Sequence, residues 1–138
     1  MILMDTNIIS EMMKTSPAQH ALDWLDQQVS SELYVSTITV AEISYGLHVL
    51  AKGKRRRLLE QTFESTIAEA FKGRLLSFDE PAAKIYGRIM GQRKELGRPM
   101  SVPDGQIAAI ALHHKMALAT RNIKDFQDCG LRLINPFK

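Results

Sequence analysis

Three acidic residues stand where acids are costly. Asp5 closes the short apolar run Met1-Ile-Leu-Met4, Glu42 lies inside the helical stretch Thr39-Val-Ala-Glu-Ile43, and Asp104 opens Asp104-Gly-Gln-Ile-Ala-Ala-Ile110. A carboxylate in buried surroundings must be neutralised, paired or bound to a cation. Read together, the three predict one acidic pocket suited to a hard divalent cation such as Mg²⁺, which takes oxygen ligands. Two of them also have an ordinary reading. Asp5 serves equally well as a helix N-cap, and Ser101-Val-Pro-Asp104 has the spacing of a capping box. Glu42 has neither explanation, and no lysine or arginine lies within one helical turn of it. The segment Ala119-Thr-Arg-Asn-Ile-Lys-Asp125 adds Thr120, Asn122 and Asp125, which suit either the orientation of a metal-bound water or simple turn chemistry.

The elements that must position these acids alternate in type. Apolar runs of strand length, Met1 to Met4, Leu33 to Ser36, Arg74 to Phe78, Met116 to Thr120 and Leu131 to Ile134, are separated by stretches of helical period. That alternation predicts an α/β domain with a mainly parallel sheet, whose strand carboxyl ends border a ligand crevice. Ser16-Pro17 predicts a helix start, with Leu22, Leu25 and Val29 on its buried stripe beside Ala21 and Trp24. Thr39 to Ala51 is apolar on most sides and reads as an enclosed helix. Leu59, Phe63, Ile67 and Phe71 step by four along the next helix. A further helix runs from Asp79-Glu-Pro81 through Ile85, Ile89 and Leu96 to Gly97.

Bulk properties narrow the class. With 138 residues, 45% hydrophobic and 24% charged, the chain reads as one globular domain spanning residues 1–138, with no repeat or linker. No membrane span or signal segment is evident, and the single cysteine, Cys129, cannot form an internal disulfide; a cytoplasmic protein is expected. Net charge is +3, with five cations in the six residues Lys52-Gly-Lys-Arg-Arg-Arg57 and Arg88, Arg93, Lys94 and Arg98 following. Such runs are usually solvated surface; the sharper reading is a phosphate-facing one. His20 and His48 are isolated and the adjacent His113 and His114 should diverge on a helix, so a histidine metal site is not expected. No Gly-rich phosphate cradle is present.

Taken in order, Met1-Ile-Leu-Met-Asp-Thr-Asn-Ile-Ile-Ser10, Ser36-Thr-Ile-Thr-Val-Ala-Glu-Ile43 with Gly46, Leu75-Leu-Ser-Phe-Asp79, Asp104-Gly-Gln-Ile-Ala-Ala109 and Ala119-Thr-Arg-Asn122 resemble the PIN-domain toxins of the VapC/FitB type. The Asn-Pro-Phe at residues 135–137 brings the chain nearest the FitB branch. The resemblance implies a three-layer α/β/α PIN fold and a homodimer. It also implies a Mg²⁺- or Mn²⁺-dependent endoribonuclease, masked by a VapB/FitA-like antitoxin in a heterotetramer or larger assembly that meets DNA through the antitoxin. Asp5, Glu42 and Asp104 match the family's acidic triad, while Asn122 stands where a fourth acid often sits, with Asp125 as its substitute. On this reading Thr6 and Asn122 position water or ligands, and Lys52, Lys54, Arg55, Arg56 and Arg98 hold RNA backbone. A different class remains open, a weakly catalytic antitoxin partner within a DNA-bound repressor complex. A phosphatase of the Asp-x-Asp type is disfavoured by Asn7.

Overall fold

The computed structural model describes residues 1–138. Five strands, β1 (Ile2–Met4), β2 (Leu33–Ser36), β3 (Leu75–Leu76), β4 (Ala117–Ala119) and β5 (Leu133–Ile134), form one sheet in the order β3-β2-β1-β4-β5. All pairings are parallel, with Leu3 opposite Tyr34 on one side and Leu118 on the other. β1 is the centre from which the chain winds outward both ways, so the crevice lies beyond its carboxyl end. Asp5 is the next residue.

Six helices complete the layers: α1 (Thr6–Met12), α2 (Gln19–Asp26), α3 (Thr37–His48), α4 (Lys54–Ser65), α5 (Glu80–Glu95) and α6 (Val102–His113). Side chains alternate along a strand, and here the alternation sorts the core in two. Leu3 and Leu118 face α5 and α6 with Ile89, Ile107 and Ile110, while Ile2, Met4, Ala117 and Ala119 face α1, α3 and α4 with Ile8, Ile43 and Phe63. The expected stripe of Leu59, Phe63, Ile67 and Phe71 packs on that second side, its last turn relaxing into a π-helical segment at Thr66–Ala70. Gly105 permits a close crossing of α5 and α6, since a Cβ there would meet Met90 Sδ at 2.5 Å and the Tyr86 ring at 3.0 Å. No helix is long and apolar enough to cross a membrane.

Several local expectations are corrected. α2 begins at Gln19, with Ala18 as an N-cap that makes no side-chain bond, so Ser16-Pro17 is not the helix start. Of its apolar stripe only Ala21 is fully buried, and Val29 is exposed. α3 is not enclosed. Its inner face buries Thr39, Ile43 and Leu47, but Tyr45 and the adjoining Val49 are 71% and 62% exposed. Leu96, expected in the stripe of α5, is also outside. The strands β3, β4 and β5 are shorter than the expected runs, although backbone bonds from Arg74 O, Thr120 N and Arg132 O extend the pairing by a residue.

Candidate functional site

Each acid reaches the site by a different local route. Asp5 leaves β1 in extended conformation and becomes the N-cap of α1, its Oδ1 accepting the Thr6 N–H at 2.7 Å. Oδ2 accepts from the Thr120 hydroxyl at 2.8 Å and from Asn7 Nδ2 at 3.3 Å. Capping and site placement are therefore both properties of this residue. Ser36 ends β2 and caps α3 by accepting the Thr39 N–H, which starts α3 at the crevice and sets Glu42 in its second turn. Ser101 does the same for α6 by accepting the Asp104 N–H at 3.3 Å, half of the expected capping box.

Asp5, Glu42 and Asp104 line one cleft of about 320 Å³ together with Thr6, Asn7 and Asn122. Asp5 is only 4% exposed, whereas Glu42 and Asp104 are half-buried. Burial pushes Asp5 up to about 6; hydrogen bonds from Thr120 and Thr6 oppose this, and the Asp104 and Glu42 charges add to it. Asp104 is also raised, first by burial, with Ser101 opposing and Asp125 and Glu42 contributing in the same direction as burial. Such a site favours whatever cancels negative charge.

The accessory residues separate. Thr6 donates to Glu42 Oε1 at 2.7 Å, and Asn122 borders the cleft with its N–H on Thr120 Oγ1. Asp125 is exposed and outside the lining, though near enough to act on Asp104. Among the basic residues, Lys52, Lys54 and Arg55 are exposed at the start of α4. Arg55 borders a second groove of about 510 Å³, floored by Leu47, Leu50 and Leu59, which meets the acidic cleft at Thr6 and Glu42. Arg56 instead pairs with Glu60 and reaches Leu50 O and His48. Arg98 lies away from the cleft, paired with Asp128 at 2.7 Å and Gln127 at 2.9 Å. Arg93, expected at the surface, is buried.

Sequence reasoning missed Glu11, Lys14 and Arg121, which share the cleft's rim. The one sequence hint was Glu11 standing between the apolar pairs Ile8-Ile9 and Met12-Met13. His113 and His114 do not diverge as expected: their ring centroids are 4.6 Å apart because His114 is the C-cap of α6, and with Asp79 they bring ligand atoms within 4.8 Å of one another. That group lies at the C-terminal end of α6, roughly 14 Å along the helix from Asp104 at ~1.5 Å per residue.

The PIN-domain profile matches residues 2–130. The chain is 41% identical to VapC ribonuclease Y4jK of Sinorhizobium fredii, over 100% of this chain and 99% of that one. It is 39% identical to toxin FitB of Neisseria gonorrhoeae, over 99% of each. Among solved structures, FitAB bound to an IR36 DNA fragment superposes with a TM-score of 0.94 at 40% identity, covering 100% of this chain and 96% of that one.

Proposed function

The chain belongs to the PIN-domain family, and on that premise we propose that it is the ribonuclease toxin of a toxin–antitoxin pair, hydrolysing RNA phosphodiester bonds in a divalent-metal site built by Asp5, Glu42 and Asp104. The observation that supports this most directly is the convergence of three carboxylates from three separate elements on one cleft. The donor set fits a hard cation: its ligands are oxygens, with no thiol or imidazole among the lining residues. Bound there, Mg²⁺ or Mn²⁺ would acidify a water and neutralise charge developing on the phosphate.

The chain's own residues do the rest. Thr120 and Asn7 hold Asp5, Thr6 holds Glu42, and the Ser101 cap presents Asp104. Asn122, at the cleft's edge, is the group we assign to orienting the attacking water, with Asp125 tuning Asp104 from outside. Lys52, Lys54 and Arg55 hold RNA backbone without reading its sequence.

Partners follow from the same reading. The solved relatives named FitAB and FitAcB are complexes, one of them with DNA. We assign a VapB/FitA-like antitoxin to the apolar groove beside α4, where an amphipathic segment can bury apolar side chains and extend an arginine toward the acids. The toxin acts as a homodimer, joined into a heterotetramer or larger complex that reaches DNA through the antitoxin.

The test is incubation of purified protein with labelled RNA in Mg²⁺ or Mn²⁺ against chelator. Asp5→Asn, Glu42→Gln and Asp104→Asn should each remove nearly all cleavage while circular dichroism stays that of the parent. Cleavage that persists in chelator, or in a folded single variant, rejects the metal site. Antitoxin binding without any cleavage favours the non-catalytic repressor subunit instead.

A further inference from the structure

We propose that Arg121 and Lys14, both anchored on Glu11, form a phosphate-binding subsite at the rim of the acidic cleft that grips the RNA backbone next to the scissile bond; this rests on the nuclease reading above. Glu11 ends the buried face of α1 and is 4% exposed. Its Oε1 accepts from Lys14 Nζ at 2.9 Å and from Arg121 Nη2 at 3.0 Å, while Oε2 accepts the Ala18 N–H at 2.8 Å. The carboxyl is held below its usual range, chiefly by the Lys14 bond and then by the Ala18 N–H. One carboxylate thus serves two cations. A positive charge is left over on the rim of a cleft whose floor is acidic.

Arg121 is fixed from three directions. Its guanidinium carbon lies 3.8 Å from the centroid of the Phe137 ring, and Glu11 holds one edge. Its backbone N–H donates to Asn7 Oδ1 at 3.2 Å, and the same Asn7 amide donates to Asp5 Oδ2 at 3.3 Å. A single side-chain amide therefore links the Arg121 backbone to Asp5, the most buried acid of the triad. Of the guanidinium's five donors, only Nη2 is engaged.

Glu11 does not depend on this cation alone. Its two oxygens are also held by Lys14 and the Ala18 N–H, and the Arg121 end of the pair is 46% exposed, open to a further ligand. A planar guanidinium with open donors, stacked and pre-oriented, is instead the geometry that binds a phosphate by two parallel bonds with little loss of side-chain freedom. Phe137 acts as a positioning residue through Arg121.

The experiment measures binding of a labelled single-stranded RNA oligonucleotide by fluorescence anisotropy in chelator, where metal-dependent cleavage is silent, across a salt series. Arg121→Gln should raise Kd roughly five- to twentyfold and flatten the log–log salt slope by about 0.7, the equivalent of one single-strand phosphate. Arg121→Lys should restore the slope but only part of the affinity. Phe137→Ala should weaken binding less than Arg121→Gln, and Phe137→Trp should match the parent. A parent-like Kd and slope in Arg121→Gln overturns the subsite whatever the melting temperature, and a lowered melt with them makes Arg121 a loop tether. If the parent cleaves RNA with Mg²⁺ or Mn²⁺ in that case, the nuclease reading stands alone. A parent that neither binds nor cleaves RNA overturns both.

Discussion

The Thr6 hydroxyl donates to Glu42 Oε1 at 2.7 Å and lies 2.9 Å from the Thr39 hydroxyl. The residue after Asp5 therefore holds the acid contributed by α3, while its N–H holds Asp5 itself. Glu42 has no basic partner on its own helix. A hydroxyl donor from α1 makes its half-buried position tolerable without cancelling its charge, which stays available to a cation.

Thr6→Val removes that donor while keeping the branched shape. We expect the fold to persist with a loss of about 1 kcal/mol, typical of a hydrogen bond, and RNA cleavage to fall about 10- to 100-fold as Glu42 loses its orientation. Thr6→Ser should retain most activity. Cleavage rates at saturating Mg²⁺ decide the matter, because equal rates for Thr6→Val and parent would leave Thr6 as a packing residue only.

In chelator, stability should decline as pH rises from about 4 to about 6. Asp5 sits near 6 in the fold against an ordinary 3.8, so the folded chain holds the extra proton across that window and loses its benefit as pH rises through the folded value. The difference is on the order of 3 kcal/mol by pH 7, and the raised Asp104 has the same sign. Glu11 has the opposite sign, but its contribution is lost only below its ordinary value of 4.5. Asp104→Asn is the cleaner probe, since Asp5 accepts three hydrogen bonds that an amide cannot fully replace. Thermal melts of metal-free protein should show Asp104→Asn above the parent at pH 7. A lower melt, or a pH-independent parent, would mean that neither burial nor the neighbouring charges raise these acids in the fold.

The basic run should divide by residue. Lys54 and Arg55 are exposed, with Arg55 bordering the groove that meets the cleft, whereas Arg56 is already bound to Glu60 and Leu50 O. Replacing Lys54 and Arg55 with Gln should lower the RNA-binding salt slope by about 0.7 for each phosphate that is no longer neutralised. Arg56→Gln should leave the slope unchanged and lower the melting temperature instead. Equal slopes in all these variants would return the whole run to ordinary solvated surface.

The three acids were legible because each interrupts an apolar pattern, and that contrast survives without knowing the topology. Glu11 and Arg121 were not, since their pairing joins residues 110 apart in sequence through the adjacency of β1 and β4. α1 was legible only through Asp5 as a candidate N-cap: seven residues show too little periodicity to tell a helix from a turn. Tyr45 and Val49 misled in the other direction. Apolar composition marks a side chain that prefers burial, but it does not say whether the chain's own core or a partner supplies it.

Arg93 is the largest departure from the sequence-based expectation and gives the strongest stability prediction. Though only 4% exposed, it forms no salt bridge; Nε donates to Arg98 O at 2.7 Å, and Nη1 donates to Asp125 O at 3.0 Å and Gln127 O at 2.8 Å. One guanidinium thus staples the end of α5 to the segment that follows the cleft residues Arg121 and Asn122. Arg93→Met retains the apolar stem but strands these part-buried carbonyls, each costing about 1–3 kcal/mol where water does not replace the donor. A total loss of about 3–5 kcal/mol is expected. Arg93→Lys keeps the charge, yet a point donor cannot span three carbonyls in the guanidinium's plane, so it should recover only part of that loss. Urea unfolding measures both variants. A parent-like midpoint for Arg93→Met would show that water replaces the guanidinium at little cost. Full recovery by Arg93→Lys would show that charge near Asp104, rather than the planar staple, is what the position supplies.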